Sequence, residues 1–152
     1  MKFLNKKLGL EVICYLFVFL FAYTGISKYL LYNNFRIELM KSSLTRNYAT
    51  PIAIFVPMIE IAIAILLLIN STRKFGLYCS LALMVIFTSY VFYLLAFAPY
   101  LPCHCAGIIE TMTWTQHLIF NIALIATSVI GIWLNNKQYQ SSGSPSIAPV
   151  SY

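Results

Sequence analysis

The chain has 152 residues, of which 61% are hydrophobic and 9% are charged, and it carries a net charge of +6. Soluble globular domains carry about 25% charged residues, and a soluble fold of this length could not bury so much apolar surface. The composition therefore excludes an ordinary soluble enzyme and indicates a protein embedded in a lipid bilayer.

Four apolar segments are long enough to cross a bilayer, which takes about 20 residues in a helix. They cover about residues 12–32, 51–70, 76–98 and 114–134. Each is apolar around nearly its whole circumference, whereas a membrane barrel has strands of about 10 residues with alternating polarity. The first segment is too long for the apolar core of a cleaved signal peptide. The sequence thus predicts an all-α membrane protein, with residues 1–137 forming one four-helix bundle.

Lysine and arginine flank these segments unevenly. Six lie in the N-terminal stretch, in the link between the second and third segments or after the fourth segment, against three in the other two links. Basic residues are enriched on the cytoplasmic side of membrane proteins, so we expect both termini to be cytoplasmic in a bacterial inner membrane. The positive charge is scattered, and no nucleic-acid partner is expected.

Two stretches lie outside the predicted segments. Residues 33–48 place the apolar side chains of Phe35, Leu39, Met40, Leu44 and Tyr48 at helical spacing, which fits either a short helix at the outer interface or a plain loop. Residues 138–152 are rich in Ser and Pro, and we expect them to be a disordered cytoplasmic tail.

Cysteines flank a histidine in YLPCHC, just before the fourth segment. In the predicted topology, Cys103 and Cys105 lie on the oxidising outer side, where disulfides persist. A disulfide between two cysteines one residue apart closes a small, strained ring, and strain makes a disulfide easier to reduce. Three interpretations remain: a redox pair, an inert bond, or a zinc or copper site that adds His104 or His117 as a ligand.

A polar stripe follows at spacings of 4, 3 and 4, formed by Glu110, Trp114, His117 and Asn121. These residues share one helical face, and polar groups in membrane helices usually face the bundle interior. An imidazole near the cysteines could stabilise a thiolate or carry protons, because it titrates near neutrality. The alternatives are a histidine satisfied by a backbone carbonyl and a tryptophan that serves as an interface anchor.

Two further charges lie within the apolar segments, Lys28 in the first and Glu60 in the second. An isolated charge near the middle of a membrane costs about 3 kcal/mol on insertion scales. Either the two residues pair, or Glu60 is protonated because burial disfavours its charged form. Together with Tyr23, Ser27 and the polar stripe, they predict an outer-leaflet pocket that could receive a quinone headgroup.

Three motifs resemble the MauE/DoxX family of redox-associated membrane proteins over about residues 12–134: FAYTGISKY, PMIEIAIAILLL and PCHCAGIIETMTW. The resemblance implies a four-helix membrane bundle with a role in disulfide formation in exported proteins or in quinone-coupled oxidation. Dedicated disulfide-generating membrane enzymes generally carry C-x-x-C, whereas this chain has C-x-C. The difference favours a component that works with a partner.

We therefore expect a protein that supports thiol–disulfide exchange or disulfide formation in exported partners, with quinone as the candidate electron acceptor. Cys103 and Cys105 would be the redox pair, and His117 would tune the thiolate. A metal-binding membrane protein and a non-catalytic subunit or chaperone for an exported client are the alternatives. Cys14 and Cys79 fit small buried core residues, or else a second thiol pair near the inner face.

Overall fold

The computed structural model describes residues 2–97 and 114–142, with side chains over residues 7–97 and 115–137. Over these ranges the chain is helical and has no strand. The α-helices are α1 (Lys2–Leu30), α2 (Tyr32–Lys41), α3 (Ala49–Leu68), α4 (Arg73–Phe97) and α5 (Trp114–Ser142), and a 3-10 turn (Arg46–Tyr48) precedes α3. The predicted all-α class is confirmed.

Four of these helices are long and apolar enough to cross a membrane. The candidate spans are Lys7–Leu30, Arg46–Leu68, Arg73–Phe97 and Thr115–Lys137. At about 1.5 Å per residue, the 20 residues of α3 measure about 30 Å, the thickness of the hydrocarbon layer. The prediction of a four-helix membrane protein is therefore confirmed.

The helices extend beyond two of the predicted boundaries. The first helix begins at Lys2 instead of near residue 12, because its polar N-terminal stretch contains no proline to stop it. The last continues to Ser142, so the predicted tail is helical over its first five residues, 138–142. Gly143 follows directly, and residues 143–152 lie outside the described part of the chain.

The four long helices, α1, α3, α4 and α5, form a bundle in which each packs mainly against two neighbours. Helix α1 packs against α3 and α5, and α4 packs against the same two helices. Large core side chains such as Phe17, Phe21, Leu67 and Leu77 are almost fully buried between them. At Gly76 of α4, an added Cβ would lie 3.0 Å from a side-chain methyl group of Leu67, so a glycine permits close packing of α3 and α4.

Helix α2 covers one end of the bundle, which we call the α2 end. Its buried residues Phe35 and Leu39 pack against Ala49 and Ala53 of α3. The helical alternative for residues 33–48 is thus correct over α2, while Met40, Leu44 and Tyr48 are exposed. The apolar face that the spacing predicted is shorter because the helix ends at Lys41.

Candidate functional site

A cavity of about 330 Å³ lies inside the bundle toward the α2 end. All five helices and the link after α2 contribute to its wall, which is mostly apolar and aromatic. Its polar lining residues are Thr24, Lys28, Thr45, Glu60, Tyr90, His117 and Asn121. Small-molecule sites typically measure about 300–1,000 Å³ and combine apolar walls with a few placed polar groups, and this cavity has both properties.

Lys28 of α1 and Glu60 of α3 meet at the cavity wall. The Lys28 ammonium donates a hydrogen bond to Oε1 of Glu60, and their side chains are 14% and 1% exposed. Each charge compensates the other within the membrane-spanning region, where a single charge would be costly. The sequence allowed either a pair between Lys28 and Glu60 or a protonated Glu60, and the structure supports the pair.

A glycine allows the two helices to approach closely at this pair. An added Cβ on Gly25, one turn before Lys28, would lie 3.2 Å from the carbonyl oxygen of Pro57 and 3.3 Å from Cβ of Glu60. Both distances are shorter than an ordinary contact, and the backbone oxygen cannot move aside easily. Gly25 therefore brings α1 close enough for Lys28 to reach Glu60.

Aromatic rings of two other helices surround the lysine. The Lys28 ammonium lies 5.8 Å from the ring centroid of Phe35 in α2 and 5.1 Å from that of Phe87 in α4. Both distances allow a cation–π attraction, which gains strength where water is excluded. Lys28 thus joins α1, α2, α3 and α4 at one point.

Helix α5 contributes His117 and Asn121, which are four residues apart and so lie on the same face. His117 is half-buried, and Asn121 is 4% exposed. Among the described residues, Asn121 Nδ2 has no hydrogen-bond partner, and neither has Glu60 Oε2. The residues that line the cavity therefore include one buried donor and one buried acceptor that the described protein groups leave unpaired.

The other predicted site residues lie elsewhere. Tyr23 and Ser27 are not among the described residues that line the cavity, and Tyr23 stacks with Phe19 on the exposed side of α1. A helix turns about 100° per residue, so the face that carries Thr24 and Lys28 directs their neighbours away. Four predicted site residues fall outside the described ranges: Cys103, His104, Cys105 and Glu110. For Trp114, only the backbone is described.

Three polar lining residues were not identified from the sequence. Thr24 lies four residues before Lys28, and this spacing could have indicated it. Its hydroxyl donates to the carbonyl of Leu20, at 2.9 Å. Thr45 and Tyr90 have hydroxyl oxygens 3.5 Å apart and join the link after α2 to α4. That contact crosses 45 residues of sequence, and no local pattern indicated it.

The described residues contain no group of three or more His, Cys, Asp or Glu side chains that could hold a metal ion. Of the alternative metal ligands, only His117 lies within these residues. Cys14 is buried and Cys79 is half-buried, and both are free thiols in or against the core. Their placement agrees with the interpretation that they are apolar packing residues.

The comparisons with known proteins bear on the whole bundle. The chain matches the family model described as methylamine utilisation protein MauE over residues 6–134. No curated protein and no solved structure matches it. The matched region begins in α1 and ends in α5, so it contains every element of the cavity wall. The resemblance noted in the sequence is confirmed, and the chain belongs to the MauE family of membrane proteins.

Proposed function

We propose that this protein supports disulfide formation in an exported partner protein, with Cys103 and Cys105 as its redox pair and a quinone as electron acceptor. The proposal refines the redox-associated membrane role that fits its family. It places the protein in a bacterial inner membrane with both termini cytoplasmic, as the distribution of Lys and Arg predicts.

The proposed reaction transfers two electrons in each of two steps. A thiolate of the partner attacks the Cys103–Cys105 disulfide and forms a mixed disulfide. The partner's second thiol then attacks the mixed disulfide and releases the cysteine of this protein. This step leaves a disulfide in the partner, with Cys103 and Cys105 as a dithiol. Reoxidation passes two electrons and two protons from the dithiol to the quinone, which becomes the hydroquinone.

The observation that carries the proposal is a cavity inside a membrane bundle, with a mostly apolar wall and a few polar groups. Helix α4 ends and α5 begins at the α2 end, and the stretch with Cys103 and Cys105 connects these two helices. His117 lies in the first turn of α5 and lines the cavity. The predicted redox pair thus lies in the connection that leads into α5, a helix that lines the cavity.

The cavity wall supports a quinone as that small molecule. Phe21, Phe35, Phe87 and Phe120 supply aromatic surface against which a flat ring can stack. Ile86 also lines the cavity and is 62% exposed, so the wall reaches the lipid-facing surface of the bundle. A ring with an apolar tail could therefore enter from the bilayer.

Trapping the mixed disulfide tests this function. A Cys105→Ser variant retains Cys103 but cannot close the intramolecular disulfide, so we expect it to accumulate a covalent adduct with an exported protein. Cys103→Ser tests the reciprocal adduct, and Cys79→Ser is the matched control because it removes a half-buried free thiol. We expect reductant-sensitive adducts in one or both of the first two variants. Adducts in neither variant would contradict the proposal.

A further inference from the structure

Glu60 and Asn121 both line the cavity, and each carries one buried polar atom without a hydrogen-bond partner among the described residues. Glu60 Oε2 is a hydrogen-bond acceptor and Asn121 Nδ2 is a donor, and the two residues are 1% and 4% exposed. Neither atom has a partner among the described residues. Leaving a buried polar atom unpaired costs stability, and a ligand that pairs both atoms removes that cost.

A hydroxyl group fits both atoms, because it donates one hydrogen bond and accepts others. Glu60 is already charge-compensated by Lys28, so the site needs no additional charge and favours a neutral ligand. A carbonyl group could accept from Asn121 but could donate nothing to Glu60. The two atoms therefore distinguish a hydroxyl from a carbonyl.

The rest of the cavity wall indicates which kind of molecule bears the hydroxyl group. Phe35 and Phe87 flank the ion pair with their rings, and the wall extends to the lipid-facing surface at Ile86. Aromatic side chains in a cavity wall can stack against an aromatic ring, and a membrane-soluble molecule can reach the wall from the bilayer. These properties describe a lipid-soluble phenol or hydroquinone.

We infer that this cavity binds a membrane-soluble hydroquinone through a hydroxyl held between Glu60 and Asn121, and that it binds the reduced form more tightly than the oxidised quinone. The inference rests on the proposed function, which supplies the quinone, and adds a preference for one redox form. Tighter binding of the reduced form makes reduction of the bound quinone more favourable, since binding and reduction are linked. The site would thus favour electron transfer from the cysteine pair to the quinone.

The test measures dissociation constants by titration calorimetry on the full chain with Cys103 and Cys105 both replaced by serine, so that no thiol can react with the probe. The probes are a decyl-substituted benzohydroquinone, the corresponding benzoquinone and the dimethyl ether of the hydroquinone. The ether has both oxygens but no hydrogen to donate. We expect the hydroquinone to bind about tenfold or more tightly than either other probe, because it alone forms the charge-assisted bond to Glu60.

Variants then assign the preference to the two side chains. Glu60→Gln should reduce the difference between hydroquinone and quinone, and Asn121→Leu should weaken both several-fold. The control is Asn135→Leu, since Asn135 is a buried α5 residue whose Nδ2 is also unpaired among the described residues but which is outside the described cavity lining. This control should bind the probes as the parent protein does.

Equal affinity for the three probes would overturn the inference, even if Glu60→Gln failed to fold. An equal loss of binding in Asn121→Leu and Asn135→Leu would also overturn it. The result is separable from the proposed function: hydroquinone preference without trapped adducts would refute the exchange reaction alone, and trapped adducts without that preference would refute the ligand alone.

Discussion

Lys28 of α1 and Glu60 of α3 form an ion pair inside a membrane bundle, 32 residues apart in sequence. The pair lies on the wall of the cavity, and its lysine also contacts aromatic rings of α2 and α4. The charges that a membrane protein can least easily bury are thus at the centre of its candidate site.

Removing either member of this pair should destabilise the protein, because the remaining charge is left buried. Lys28→Met or Glu60→Gln should each lower the free energy of unfolding in detergent micelles by about 3–5 kcal/mol, and the double variant should recover part of the loss. Losses that simply add would show that the two residues do not interact. Lys41→Met is the control, since its pair with Glu38 is more exposed and should contribute less than about 1 kcal/mol.

The close approach of α1 to α3 should depend on Gly25. Gly25→Ala places a Cβ 3.2 Å from the Pro57 carbonyl oxygen, and we expect it to lower the free energy of unfolding by about 1–3 kcal/mol. Gly9→Ala is a matched control on the same helix, because its Cβ would meet only Leu134, at 3.7 Å. Thermal unfolding of both variants in detergent compares them, and equal effects would show that the contact at Gly25 is unimportant.

The proposed orientation, with both termini cytoplasmic, predicts which cysteines a reagent can reach. In cells with a permeabilised outer membrane, a membrane-impermeant thiol reagent should label Cys103 and Cys105 after mild reduction. Cys14 should remain unlabelled because it is 2% exposed, and Cys79 because it packs against the core. The reverse pattern would place both termini on the outer side and refute the proposed exchange with an exported partner.

The cysteine pair should be a stronger oxidant than a structural disulfide. Structural disulfides in exported proteins typically have potentials below about −300 mV, whereas strained or exposed ones lie higher, and we expect a value above roughly −250 mV. A glutathione redox titration of purified protein, read by mass after alkylation, gives the value. A pair that stays oxidised well below −300 mV would be structural.

Metal analysis distinguishes the exchange function from a metal site. We expect purified protein to contain no stoichiometric zinc or copper, and a chelator to leave the redox titration unchanged. Bound metal that is lost in a Cys103→Ser, Cys105→Ser double variant would instead assign the cysteines, with His104 or His117, to metal binding.

Much of the fold could be predicted because crossing a membrane is a local requirement. About 20 apolar residues in sequence are sufficient to indicate a spanning helix, so the four segments and the helical class could be predicted from the sequence alone. A charge in such a segment is costly, and this cost alone identified Lys28 and Glu60 as candidates.

The faces of these helices were harder to predict, because segments that are apolar on every side give little indication of which side is inward. Tyr23 and Ser27 were therefore placed in the pocket, whereas Thr24 and Lys28 line it. The sequence of residues 33–48 fits either a helix or a loop, and the packing of α2 against α3 stabilises the helix.

The sequence by itself thus determined the membrane environment, the number of crossings and the buried charges, since each depends on residues close together in the chain. Only the tertiary structure decided that Lys28 meets Glu60, that Tyr90 reaches Thr45, and that Glu60 and Asn121 line one cavity. These relationships depend on which helices are neighbours and how each is rotated about its axis. Close packing at small residues such as Gly25 sets both, and it joins residues far apart in sequence.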